Sequence, residues 1–186
     1  MLRYLKRGFT LPELLTTLAV VAILTTLGLP ALTRLVTASE QSQLVTQYRV
    51  AFAFARSQAI TYKHPVTVCP VSDDTHQCID DWSKSAAIFP DADNDKSPDD
   101  GVVWRLISPT SSYRIRSRTG GRGAITFGPT GMTHGASGSL VACPVQSDRL
   151  PMSYMAVNRG GRFRVQHDDN LDSQMRLSWG AIITCP

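Results

Sequence analysis

Residues 9–29, FTLPELLTTLAVVAILTTLGL, form a run of 21 residues with a single charge, Glu13. As an α-helix at about 1.5 Å per residue the run extends roughly 31 Å, close to the hydrocarbon thickness of a bilayer. Arg3, Lys6 and Arg7 precede it, which keeps the first residues cytoplasmic and sends the remainder outward. A secretory signal peptide does not account for the pattern. Its apolar core is shorter and precedes a small-residue cleavage site, whereas here Gly8 stands before the apolar run. A plain anchor does not account for Glu13, because a charge at that depth costs about 2.5–3.5 kcal/mol and is usually kept for a partner.

The segment KRGFTLPELL resembles the prepilin peptidase site of type IV pilins and type II secretion pseudopilins. The resemblance implies cleavage between Gly8 and Phe9 by a prepilin peptidase, N-methylation of Phe9, and an assembly role for Glu13 facing the N-terminal amine of a neighbouring subunit. A buried carboxylate opposite a buried ammonium is far less costly than either alone. The expected division is a leader at 1–8, a transmembrane and filament-core helix at 9–30, and a head at 31–186.

Pro30 is expected to kink or loosen the helix, which then resumes over about 31–60. Val45, Tyr48, Phe52, Ala55 and Ala59 fall three and four apart and form an apolar stripe for packing onto a sheet. Beyond residue 62 the pattern turns to short β-favouring runs at 66–69, 86–89, 102–107, 113–115, 124–127, 139–143, 153–157, 162–165 and 176–177, separated by Gly, Pro, Asn, Asp and Ser. The expected fold is α+β and type IV pilin-like: a long N-terminal helix packed on an antiparallel head.

The cysteines are Cys69, Cys78, Cys143 and Cys185. With no CxxC pair, zinc and thioredoxin-like chemistry are disfavoured, and two disulfides in an oxidising compartment are expected. Of the three possible connectivities the favoured one is Cys69–Cys78 with Cys143–Cys185. The first closes a short loop and the second pins the C-terminus to an interior strand.

Net charge is +4, and its distribution is uneven. Residues 73–100 hold nine Asp against Lys84 and Lys96, a balance of −7, while 105–164 hold nine Arg against Asp148, a balance of +8. Asp91, Asp93, Asp95, Asp99 and Asp100 invite a calcium reading. An EF-hand loop counted from Asp91, however, needs Gly and Glu where Lys96 and Val102 stand, so a solvated Asx-rich turn is preferred. No HExxH, serine elbow or phosphate loop is present. No catalytic residue, metal or cofactor is assigned, and the chain is read as a non-enzyme.

The arginines remain. Arg114, Arg116, Arg118 and Arg122 lie in RIRSRTGGRG; Arg159, Arg162 and Arg164 lie in NRGGRFR. On strands, period-two spacing places Arg114, Arg116 and Arg118 on one face, and Arg162 with Arg164 on one face. Guanidinium forks suit phosphate oxygens, Gly120, Gly121, Gly160 and Gly161 let backbone approach closely, and such a surface reads backbone rather than bases. The alternative is pairing with the Asp-rich segment or simple solvation. The order CPVSDDTHQCIDDW, AIFPDADNDKSPDDG, FGPTGM, LVACP, NRGGRFRV resembles the GspH/FimT group of minor pilins. In DNA-binding members of the FimT type a Gly-Arg-any-Arg motif occurs near the C-terminus, matched here by Gly161-Arg162-Phe163-Arg164. The resemblance implies a minor pilin, first held in the inner membrane with its head in the periplasm and then in an extracellular pilus. Its implied partners are other pilins and minor pilins, and double-stranded DNA bound during natural transformation. The alternative is a minor pseudopilin of a type II secretion system, contacting other pseudopilins or exported proteins.

Overall fold

The computed structural model describes residues 10–72, 74–119, 123–135, 137–146, 150–168, 171 and 174–185, leaving aside the side chains at 27, 29–31, 33, 34 and 37. Gly8 and Phe9, the expected processing site, and Arg122 lie outside the described residues. The chain divides into two compact units, Met1–Ser39 and Glu40–Pro186.

A single helix, α1 (Leu11–Tyr62), contributes to both units and continues through Pro30, where the sequence predicts a kink or loosening. A proline removes one hydrogen bond, and full turns on either side can carry the helix past it. In the first unit the backbone N–H and the hydroxyl of Thr10 both donate to Glu13 Oε2 at 3.3 Å, the glutamate half of a capping box. The hydroxyls of Thr16, Thr17, Thr25 and Thr26 donate to carbonyls three or four residues back, so they place no unpaired group on the apolar surface. Leu14, Leu15, Leu18, Val21, Ile23 and Leu24 are each more than half exposed. Among the described residues no helical stretch is long and apolar enough to cross a membrane. The span expected over 9–30 includes positions outside that set.

Among the described residues of the second unit, ten strands follow the helix. One antiparallel sheet has the order β3 (Arg105–Ile107), β2 (Ala86–Pro90), β1 (Val66–Pro70), β5 (Ile125–Phe127). The other has the order β4 (Tyr113–Ser117), β6 (Gly138–Pro144), β7 (Ser153–Val157), β8 (Phe163–His167). A separate hairpin, β9 (Gln174–Arg176) with β10 (Ile182–Thr184), ends the chain. The expected strand over 102–107 is shortened to 105–107, because Asp99–Gly101 forms a 3-10 turn first. β10 was not legible: its three residues, Ile182–Thr184, give no alternation to read.

The core lies between the second half of α1 and the inner faces of both sheets. Leu44, Val45, Tyr48, Phe52, Ala55 and Ala59 meet Val66, Val68, Ile88 and Phe127 from the first sheet and Ile115, Leu140, Met155 and Val157 from the second. Trp82 is drawn into the same core, and its Nε1 donates to Gly123 O at 3.1 Å, satisfying the one polar atom the ring would otherwise strand. Each sheet is covered on its other side by a small apolar cluster containing a disulfide. Cys69–Cys78 sits with Ala87 and Phe89; Cys143–Cys185 sits with Val141, Met152, Met175, Leu177 and Ile183. The C-terminal hairpin is thus an apolar flap on the outer face of the second sheet.

Burial raises the phenol of Tyr48 above its ordinary range. Burial, and then the nearby Glu40 carboxylate, push Tyr113 up to about 12. The folded chain holds both protonated where the unfolded chain begins to ionise, so their contribution is intact below the ordinary phenol value of 10.0 and is lost as pH climbs through the raised values.

The disulfides differ in reach. Cys143 and Cys185 are 42 residues apart and Cys69 and Cys78 are 9 apart. On loop entropy alone the longer bridge contributes about 4 kcal/mol and the shorter about 3 kcal/mol. Denaturant unfolding of the oxidised head from Glu40 onward is expected to show a larger loss for Cys143→Ala/Cys185→Ala than for Cys69→Ala/Cys78→Ala. The hairpin amides are expected to lose hydrogen-exchange protection in the first pair alone.

Candidate nucleic-acid interface

The turn joining β7 to β8 is built by its sequence, NRGGR. Gly161 N donates to Asn158 O at 2.8 Å, Asn158 N donates to Arg162 O at 3.1 Å, and Arg162 N donates to Asn158 Oδ1 at 2.9 Å. This is a three-residue hairpin loop whose last position takes a left-handed conformation, here Gly161 at φ 70°. The loop is tied to the neighbouring one by Thr133, whose N–H donates to Arg159 O at 3.0 Å. A Cβ on Gly161 would collide with Gly131 O and lie 3.2 Å from Arg56 Nε. The sequence reading gives Gly161 to close approach by phosphate; the structure shows the space beside it already filled by protein.

Alternation on β8 then sets the arginines. Phe163 turns inward, its ring 5.6 Å from that of Phe52, so Arg162 and Arg164 are exposed on the opposite side. The pairings Ser139↔Ala156 and Ala156↔Arg164 carry that outer face across the sheet. The Arg118 N–H donates to Ser139 O at 2.7 Å, extending the β4–β6 register one residue beyond the strand. Arg118 and Arg164 therefore share a row at opposite edges, three strand spacings or about 14 Å apart. The residues between them, Ser139 and Ala156, are small. Arg162 lies one pleat further along, and Arg159 is exposed at the tip of the turn.

Arg114 and Arg116 are exposed on the same face of β4. Their rows run through Cys143 and through Val141, Tyr154 and Gln166, residues that carry the flap. Gln166 Nε2 donates to Arg176 O at 2.8 Å, and Ser178 N donates to Gln166 Oε1 at 3.2 Å, closing the flap onto β8. The structure thus joins Arg118, Arg159, Arg162 and Arg164 in one open region and leaves Arg114 and Arg116 at the far edge of a covered one. Trp179, at the flap's turn, is 63% exposed and stacks edge-on against Tyr154 at 5.7 Å. Nothing in its sequence context marks it, since its exposure depends on where the flap lies.

None of these arginines forms an ion pair among the described residues. The acidic segment is occupied with itself. Asp91 is fully buried, accepts from Thr67 Oγ1 and from Lys96 N at 3.2 Å, and lies 3.8 Å from Lys96 Nζ. Asp93, Asp95 and Asp99 accept backbone N–H groups of Asp95, Ser97 and Ala92. One carboxylate oxygen each of Asp91, Asp93 and Asp99 lie within 4.8 Å of one another, an arrangement those hydrogen bonds explain. Asp93 and Asp95 each form an Asx turn to the backbone N–H two residues on. Asp91 departs from this pattern, as a buried charge compensated on three sides.

Two family models match the chain. Residues 45–161 match the type II transport protein GspH family and residues 3–29 match the prokaryotic N-terminal methylation motif. The chain belongs to the GspH family, the minor pilins and pseudopilins. A crystal structure of the type IV minor pilin FimU of Pseudomonas aeruginosa superposes with a TM-score of 0.52 at 13% identity, over 72% of this chain and 96% of that one. A second crystal form of FimU gives 0.50 at 13% identity, over 70% and 98%. The minor pseudopilin EpsH from the Type 2 Secretion System of Vibrio cholerae gives 0.47 at 11% identity, over 68% and 95%. At these identities the likeness is one of fold. No curated protein matches the chain.

The turn supplies a test of its own geometry. Gly161→Ala is expected to destabilise the oxidised head by about 2 kcal/mol or more, combining left-handed strain with the collision at Gly131. Gly160→Ala, where a Cβ would meet only Asn158 Oδ1 at 3.5 Å, is expected to cost less than half as much in the same denaturant titration.

Proposed function

We propose that the chain is a minor type IV pilin that enters a pilus through its N-terminal helix and binds double-stranded DNA through the arginines of its head during natural transformation. The observation that carries the DNA half is the open region holding Arg118, Arg159, Arg162 and Arg164, every one exposed and without an acidic partner among the described residues. Such a surface holds phosphates and carries no base-reading geometry. A few arginines give a Kd in the non-specific range, about 10⁻⁴–10⁻⁶ M, and several heads on one filament raise the effective affinity.

The filament half rests on the methylation motif and on the exposed apolar side chains of α1. In this reading a prepilin peptidase cuts between Gly8 and Phe9 and Phe9 is methylated. The helix is held in the inner membrane with the head in the periplasm until it joins other pilins. Glu13 then exchanges its local bond to Thr10 for the amine of a neighbouring Phe9. The family description favours a second reading, a pseudopilin of a type II secretion system, which needs no arginine surface.

Glu13→Gln keeps an acceptor for Thr10 and removes the charge. If Glu13 works by pairing with an amine, Glu13→Gln and Glu13→Ala are expected to be equally depleted from sheared pili while remaining in the membrane fraction. If capping is its whole role, the Gln variant incorporates like wild type on immunoblots.

The DNA reading is tested by Arg162→Gln/Arg164→Gln. Binding to double-stranded DNA is expected to fall below detection and transformation to fail, with piliation and the melting temperature of the head unchanged. Arg162→Lys/Arg164→Lys is expected to retain part of the binding, since the charge survives and the fork does not. Wild-type DNA uptake by the Gln pair overturns the reading in favour of the secretion role.

A further inference from the structure

A second basic surface adjoins the first, on a helix that the sequence assigns to packing alone. Between α1 and the β7–β8 turn lies a cavity of about 560 Å³, lined among others by Arg49, Phe52, Arg56, Gly161, Arg162 and Phe163. Arg49 and Arg56 are seven residues apart, about two helical turns, so they project from one face of α1. Phe52, between them, leans inward onto Phe163. The cavity thus has an aromatic floor and three guanidinium-bearing residues around it.

Two glycines leave the room that Arg56 occupies. A Cβ on Gly131 would lie 3.0 Å from its Nε and one on Gly161 would lie 3.2 Å from it, and both glycines are left-handed, at φ 74° and 70°. The Nε is buried and meets no acceptor. None of Arg49, Arg56 and Arg162 is ion-paired among the described residues. A buried cationic donor without an acceptor is unfavourable, and so are three like charges around one cavity. An oxyanion with several free oxygens relieves both, and guanidinium forks match it.

We infer that this cavity seats a phosphate of the DNA backbone, with Arg49 and Arg56 of α1 as further phosphate ligands beside Arg162. The inference rests on the DNA-binding reading above and extends it from the sheet face to the helix. Arg162 adjoins both surfaces, the residue lining the cavity while its side chain lies on the outer face, so a duplex lying along Arg118 and Arg164 passes the mouth of the cavity. A carboxylate of a neighbouring subunit has the same fork chemistry. That continuity with the unpaired arginine row is what favours phosphate.

The test uses the full chain in neutral detergent, titrated with a labelled DNA duplex at several sodium chloride concentrations. Arg49 is exposed and makes no described hydrogen bond, so Arg49→Gln and Arg49→Glu are expected to melt as wild type does. Arg49→Gln is expected to weaken binding roughly five- to tenfold, the scale of one exposed charged hydrogen bond. It is also expected to reduce the slope of log K against log salt by about one. Arg49→Glu is expected to weaken binding further. If both bind with wild-type affinity and slope while Arg164→Gln does not, the cavity is no phosphate seat and the DNA reading stands. If both also lose incorporation into pili with DNA binding intact, the cavity is a subunit contact and the inference is overturned. If the wild-type chain itself fails to bind the duplex, the DNA reading falls and this inference with it.

Discussion

The head depends on one stripe of α1. Leu44, Val45, Tyr48, Phe52, Ala55 and Ala59 supply the apolar surface against which the inner faces of both sheets close. Ala51, Ala55 and Ala59 are as consequential as the rings, because small side chains let the strands approach the helix closely. Around them Tyr48, Phe52 and Trp82 form a tilted aromatic run with centroids about 6 Å apart, 6.2 and 6.1 Å for the two Tyr48 pairs. The same helix is apolar on exposed faces before residue 27 and one-sided after residue 40. One continuous element thus serves two environments, with the change of pattern setting where the compact head begins.

That packing also fixes the polarity of the candidate interface. Phe163 and Val165 pack against the helix-side core, so the intervening Arg164, with Arg162, must point away from it. The pattern Gly-Arg-any-Arg thereby gains a physical account: the glycine completes the turn, the middle residue anchors the strand, and the two arginines follow by alternation. The flap limits how far the basic face extends. By covering Val141, Cys143 and Met152, the hairpin leaves open the end of the sheet where Arg118 and Arg164 share a row.

Much of this was legible in the sequence. The three-and-four spacing from Val45 to Ala59 marks the core face of the helix, and the β-rich runs from Val66 to Val165 fall on strands with ends shifted by one to a few residues. What could not be read depends on contacts between distant segments. Arg49 and Arg56 carry no local signal, since charges on an exposed helix face are ordinary; their meaning appears when the NRGGR turn docks beside them. Gly161 reads as freedom for a ligand to approach, and is instead required by a left-handed turn pressed against Gly131. Asp91 reads as one more solvated aspartate, and burial against Thr67 and Lys96 separates it from the others.

Glu13 shows why a costly residue need not have a single cause. Its carboxylate accepts from Thr10 one turn back, so it stabilises the start of the helix in the isolated chain whatever it meets later. A carboxylate near a helix N-terminus is also favoured by the helix dipole. These local terms offset part of the penalty of carrying a charge into an apolar run. On the assembly role proposed above, Glu13 exchanges one hydrogen-bonded state for another instead of starting from a bare charge.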